Sequence, residues 1–141
     1  MVNTIRSLGL RGIAGYEVSA EGFLSGGLPA FDVVGLPDTA VKESRERVRA
    51  AIKISGYKFP PSKVTVNLAP ADLRKDSAAF DLPIAVAILA ASGHFPVEQV
   101  EHVFFTGELG LNGEIRSVPG VFPMVSSAKE KGCNLCLVPK E

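Results

Sequence analysis

The residues able to do chemistry gather in two stretches. The first is the polar loop Leu73–Asp81, in which Ser77 and Lys75 are the pair able to act as nucleophile and base. Such a loop, running from a strand into an apolar helix, places a serine where the helix dipole favours a developing anion. The plainer reading is that Ser77 and Asp81 bond local backbone groups and shape the start of that helix. The second stretch, Lys42 to Lys63, carries seven basic and two acidic residues inside a chain whose net charge is zero. That stripe either tracks phosphates or is a solvated helix face, with Glu43 and Glu46 paired at i+3 and i+4.

Other chemistries find no support. A phosphate-cradling loop needs glycines followed by a Lys and a Ser or Thr. No Gly-Lys-Ser or Gly-Lys-Thr occurs, and Gly12 to Gly15 precedes a strand, so the chain alone is not expected to hydrolyse ATP. His94 and His102 stand apart from one another and from any ligand-spaced cysteine, and no metal site is expected. Cys133 and Cys136 straddle the start of a predicted strand, where residues three apart point to opposite faces. They read as small apolar side chains rather than a redox pair.

These residues need elements to position them. With 141 residues, 46% hydrophobic and 21% charged, the chain has the size and composition of one domain, 1–141, with its own core. Charge neutrality removes the simplest case for a free-standing nucleic-acid binder but leaves room for a local basic patch. The apolar run Leu82–Ala91 is half the ~20 residues a membrane span needs, and Met1–Arg6 lacks a secretory pattern. The expectation is a soluble, cytoplasmic α/β domain without membrane contact. Strands are predicted over Ile13–Leu24 and Phe31–Val34, with Gly26-Gly27 as a turn and an antiparallel sheet at this end. Val41, Val48 and Ile52 at helical spacing predict a helix from Asp38 to Ser55, capped by Asp38 or Thr39 and ended by Gly56. Lys63–Leu68 alternates as a half-buried strand. A second helix runs from Leu82 to about Ser92, with Asp81 as N-cap and Pro83 in its first turn; apolar nearly all round, it belongs in the middle of the domain. Val103–Phe105 reads as a strand covered on both faces. Asn112-Gly113 signals a two-residue hairpin. Phe122–Lys131, ended by Gly132, is the third helix, and Leu135–Val138 the last strand.

Two segments together resemble the signature of ComM/YifB-type, magnesium-chelatase-like AAA+ ATPases: GLPDTAVKESRERVRAAI at Gly35–Ile52, and VNLAPADLRK at Val66–Lys75 followed by FDLPIA at Phe80–Ala85. The match covers essentially the whole chain. The resemblance implies an N-terminal domain with a Lon-protease-like fold, followed beyond Glu141 by an AAA+ motor. No cofactor is expected in this domain, and ATP and Mg²⁺ belong to the motor. Lon peptidases carry Lys-Asp-Gly-Pro-Ser-Ala-Gly; laying Lys75-Asp76 on its start puts Ala79 in the serine slot. Thr106–Leu109 and Gly113–Ile115 resemble the Lon strand pair before its catalytic lysine, and counting on sets Phe122 in the lysine slot. A methyl and a phenyl ring supply neither nucleophile nor base, so the resemblance implies that the Lon dyad is absent. A two-residue slip would bring in Ser77 but breaks the Lys-Asp match.

A peptidase scaffold without its dyad is also similar to the C-terminal domain of the DNA-repair protein RadA, where the fold serves ring assembly and DNA contact. The expected fold is therefore α/β (α+β), a two-layer mixed sheet with helices mainly on one face. The expected role is a non-catalytic module of a hexameric ATPase acting in branch migration during recombination or natural transformation. DNA, its own motor and five further copies are the expected partners, with Lys42, Arg45, Arg49 and Lys53 as candidates for DNA contact. The alternatives are a Ser-Lys peptidase using Ser77 and Lys75, or an accessory subunit of a magnesium-chelatase-type complex.

Overall fold

The computed structural model describes residues 2–11, 14–70, 78–118, 121–130 and 135–137. The elements run β1 (Asn3–Arg11), β2 (Ala14–Ser25), β3 (Ala30–Val34), α1 (Asp38–Ile54), β4 (Lys63–Ala69), α2 (Asp81–Ala91), β5 (Val103–Phe105), β6 (Glu108–Leu109), β7 (Ile115–Arg116), α3 (Val121–Glu130) and β8 (Leu135–Leu137). Six strands form one sheet in the order β3-β4-β2-β1-β5-β8, and β6 pairs with β7 apart from it. The sheet is mixed: β1–β2 and β2–β4 are antiparallel, while β3–β4, β1–β5 and β5–β8 are parallel. This is the α/β two-layer arrangement expected from the sequence. No helix among the described residues is long and apolar enough to cross a membrane.

Strand alternation sets the layers. Ala20, Gly22 and Leu24 on β2 pair with Leu68, Val66 and Val64 on β4, and Phe31 and Val33 on β3 continue the row. These residues face α1 and α2 and form the main core with Ile5, Val48, Ile52, Phe80, Ile84 and Ile88. Leu8 and Phe104, one position out of phase, point the other way. They meet Ala79, Val118 and Met124 of α3 in a second cluster. Thus β5 is covered on both faces, Phe105 lying in the first cluster and Phe104 in the second.

Several expectations need correction. The end bearing β3 is not wholly antiparallel: β3 lies beside β4, in parallel, because α1 carries the chain across the sheet between them. The first strand, β1, is missing from the sequence prediction. Its buried row reads Ile5, Ser7, Gly9 and looks polar, yet Ser7 Oγ donates to the Phe105 carbonyl at 2.7 Å. Gly9 lies under the Tyr16 ring, where a Cβ would stand 2.5 Å from it. Neither Asp38 nor Thr39 caps α1; Pro37 occupies the N-cap position and its carbonyl accepts the Val41 N–H. Gly56, at φ +91°, does end the helix. The hairpin loop is Gly110–Glu114 rather than two residues, since Leu109 pairs with Ile115. A turn closed by the Gly113 N–H on the Gly110 carbonyl requires positive φ only at Gly113, and Asn112 stays in the ordinary region. Gly132, Cys133 and Val138 lie outside the described residues.

At Gly22 α2 comes close to the sheet. A Cβ there would stand 3.1 Å from both the Cβ and the carbonyl oxygen of Ala87. Gly22→Val should therefore lower the unfolding free energy by about 1–3 kcal/mol in urea titrations, the usual cost of overpacking, with Gly22→Ala losing less.

Candidate functional site

The start of α2 is tied to the segment between β5 and β6 in a strand-like ladder. The Gly107 N–H donates to the Ala79 carbonyl at 2.9 Å, and the Leu82 N–H donates to the Gly107 carbonyl at 3.0 Å. Further along the same segment, the Leu109 N–H donates to Asp81 Oδ2 at 3.1 Å. The sequence reading makes Asp81 the N-cap of α2, but it is the first helical residue, and its side chain makes no capping bond. Instead the carboxylate turns into the interior, only 1% exposed, and collects donors from another helix. Ser44 Oγ donates to Oδ1 at 2.8 Å, Arg47 Nε to Oδ2 at 2.6 Å and Arg47 Nη2 to Oδ1 at 3.2 Å.

Buried charge is costly unless it is paired and hydrogen-bonded, and Asp81 is both. Burial pushes its carboxyl up from the ordinary carboxylate range, while the bonds from Arg47, Ser44 and the Leu109 amide pull it back. The bond to Asp81 pushes the Arg47 guanidinium up in turn. Arg47 and Ser44 carried no candidate role in the sequence reading. Helical geometry holds the signal that was available: Arg47 is two residues from both Arg45 and Arg49, about 200° round the helix from each, and so cannot share their face.

Ala79, which the resemblance sets in the Lon serine slot, is fully buried against Leu8, Phe104, Val118 and Met124. A cavity of about 10 Å³ beside this cluster, lined by Phe104, Thr106, Met124 and Cys136, is at the lower limit for a single water. Phe122 lies in the first turn of α3, with its side chain outside the described residues. Ser77 and Lys75 also lie outside them. His94 is exposed and stands edge-on to Tyr57, with ring centroids 4.9 Å apart.

The four candidates for DNA contact do come together. Lys42, Arg45, Arg49 and Lys53, spaced three, four and four residues apart, occupy one face of α1. Two of them are held in place from below. Arg45 Nη1 donates to the Phe31 carbonyl at 2.9 Å, which covers part of the edge of β3. The Arg49 guanidinium lies 5.2 Å from the Phe59 ring centroid and 5.7 Å from that of Phe31. Lys42 and Lys53 are exposed at either end. Instead of pairing along the helix with Glu43 or Glu46, α1 sends its ion pair among the described residues to Asp81. The N-terminal end of the stripe is partly offset, because Asp32 and Asp38 line the same open cleft as Arg45.

The sheet order and the helices packed on it define a mixed α/β two-layer fold. The family described as subunit ChlI of Mg-chelatase matches residues 20–141, and the chain belongs to this magnesium-chelatase-like family, in its ComM/YifB branch. It is 48% identical over 124 residues to YifB of Salmonella typhimurium, covering 88% of this chain and 24% of that protein. It is 44% identical over 119 residues to the competence protein ComM of Haemophilus influenzae, covering 84% and 23%. Similarity extends to Lon protease 2 of Bacillus subtilis, at 28% over 100 residues, 71% of this chain and 18% of the protease. The chain spans about a quarter of the length of its ComM and YifB relatives.

Removing Arg47 leaves Asp81 buried with its main counter-charge gone. Arg47→Met should cost about 3 kcal/mol at neutral pH, the lower end for a broken buried pair because Arg47 is itself partly exposed. In that variant the folded pKa of Asp81 stands further above its unfolded value of about 3.9, so folding takes up a proton and stability falls as pH rises between the two. The deficit should be small near pH 4 and full at pH 7 in denaturant titrations. The Arg47→Met/Asp81→Asn double variant should lack this added pH dependence.

Proposed function

We propose that this domain is the non-catalytic, Lon-like module of a ComM-like AAA+ ATPase, serving ring assembly and DNA binding in ATP-driven branch migration during recombination or natural transformation. The observation that carries the reading is the cationic face of α1. Lys42, Arg45, Arg49 and Lys53 stand in one row on a helix whose inner side is anchored by Val48, Ala51 and Ile52. Cations fixed at helical intervals suit a phosphate backbone, and release of its counterions supplies affinity without any base contact. Kinship with the competence protein ComM supports the DNA-processing context. In the full protein the partners are the AAA+ motor, which would hold ATP and Mg²⁺, and the other members of a homohexamer.

A Ser-Lys peptidase is the second reading, favoured by the similarity to Lon protease 2. It requires Ser77 and Lys75 to act without the serine and lysine of the Lon pattern, whose slots hold Ala79 and Phe122. A serine-reactive phosphonate separates the two readings. Labelling of Ser77 that disappears in Ser77→Ala establishes the peptidase, and an unlabelled protein is expected.

Single-strand affinity measured against salt tests the main reading. The wild-type slope of log K on log salt should be steeper than that of the Lys42→Glu/Arg45→Glu/Arg49→Glu variant by about 2, at roughly 0.7 for each phosphate no longer neutralised. Coincident curves would remove α1 from DNA contact.

A further inference from the structure

The basic face of α1 does not end in solvent. At its C-terminal end the Gly56 and Tyr57 amides fold back on the Lys53 and Ile52 carbonyls, which keeps Tyr57 within a turn of Lys53. The Tyr57 ring is 43% exposed and is buttressed edge-on by His94, itself exposed. It forms one wall of an apolar cleft between α1, α2 and the β6–β7 hairpin, lined also by Ile52, Ser55, Leu82, Val86 and Leu89. Lys53 and Lys58, both exposed, flank it in the sequence. An aromatic wall beside an apolar cleft, next to cations, is the arrangement that takes a nucleobase by its flat face and the adjoining phosphates by charge.

We infer that Tyr57, held by His94, is a base-stacking platform for an unpaired nucleotide of a strand whose backbone follows Lys42, Arg45, Arg49 and Lys53. This rests on the DNA reading above and adds the form of DNA to it, because a base inside a duplex cannot present its face to a ring. The two ends of the stripe differ accordingly. Asp32 and Asp38 offset the charge near Arg45, whereas at the other end the exposed Lys53 and Lys58 flank Tyr57 in the sequence.

A probe with phosphates but no bases isolates the ring's contribution. Wild-type protein should bind an oligothymidylate more tightly than an abasic oligomer of equal length and charge. Tyr57→Ser should weaken oligothymidylate binding about 5- to 30-fold, the loss of one stacked base, and leave the abasic oligomer and a duplex unaffected. Tyr57→Phe should restore the preference. The chain has no tryptophan and two tyrosines, so quenching of tyrosine fluorescence by the oligothymidylate should also vanish in Tyr57→Ser. Equal wild-type affinity for the two oligomers overturns the stacking site while leaving the cationic face standing. Failure to bind either oligomer overturns the DNA reading with it. If Tyr57→Ser alters sedimentation instead of oligothymidylate binding, the cleft meets protein and the inference is wrong.

Discussion

The interior turns on one carboxylate. Asp81 accepts from Ser44 and Arg47 of α1 and from the Leu109 amide of β6, and its own backbone begins α2. Three elements are thereby held in one register. The need is physical, because α2 is apolar almost all round and packing alone says little about which way it should be turned. Hydrophobic attraction is non-directional, whereas a buried carboxylate left short of donors costs more than a methyl group in the wrong place. Asp81 fixes the rotation of α2, and that fixes Ala87 over Gly22, where helix and sheet leave no room for a side chain.

The same bond decides what α1 can display. Its inner face is occupied by Ser44, Val48, Ala51 and Ile52, and one flank by Arg47 on Asp81. The other flank leans on β3, where Arg45 reaches the Phe31 carbonyl and Arg49 lies over two phenyl rings. A helix held from both sides presents its remaining cations at fixed spacing. Side chains already ordered lose less entropy when a ligand arrives, which favours a binding face built on a rigid element over one built on a loop.

Much of this was legible in the sequence, and the failures have local causes. Periodicity places α1 and β4, and unbroken apolar runs place α2 and β5. Both miss β1, where a serine and a glycine occupy buried positions for reasons that lie on other strands: the Phe105 carbonyl for Ser7 and the Tyr16 ring for Gly9. Asp81 reads as a helix cap because it precedes an apolar run, and nothing local announces a partner 34 residues away. The cationic row is readable from spacing, as is the odd placement of Arg47. The role of Tyr57 is not, since a lone tyrosine after a helix gains meaning only when α2 and His94 come beside it.

The resemblance to Lon peptidases would put their nucleophile at Ala79, and the setting of that residue is one of packing rather than reactivity. A reactive serine needs an open, polar setting and a base within hydrogen-bonding reach. Ala79 has hydrocarbon around it, and its carbonyl is bound by the Gly107 amide. The segment that receives Ala79 also supplies Leu109 to Asp81, so one ladder both encloses residue 79 and completes the lock on α2. A hydroxyl placed at residue 79 would lie in that closed pocket, and opening it would strip a donor from a buried carboxylate. A serine placed there would therefore stay sealed from any substrate; the ladder from Gly107 to Leu109 would have to come apart first, and the platform that presents the cations of α1 would loosen with it.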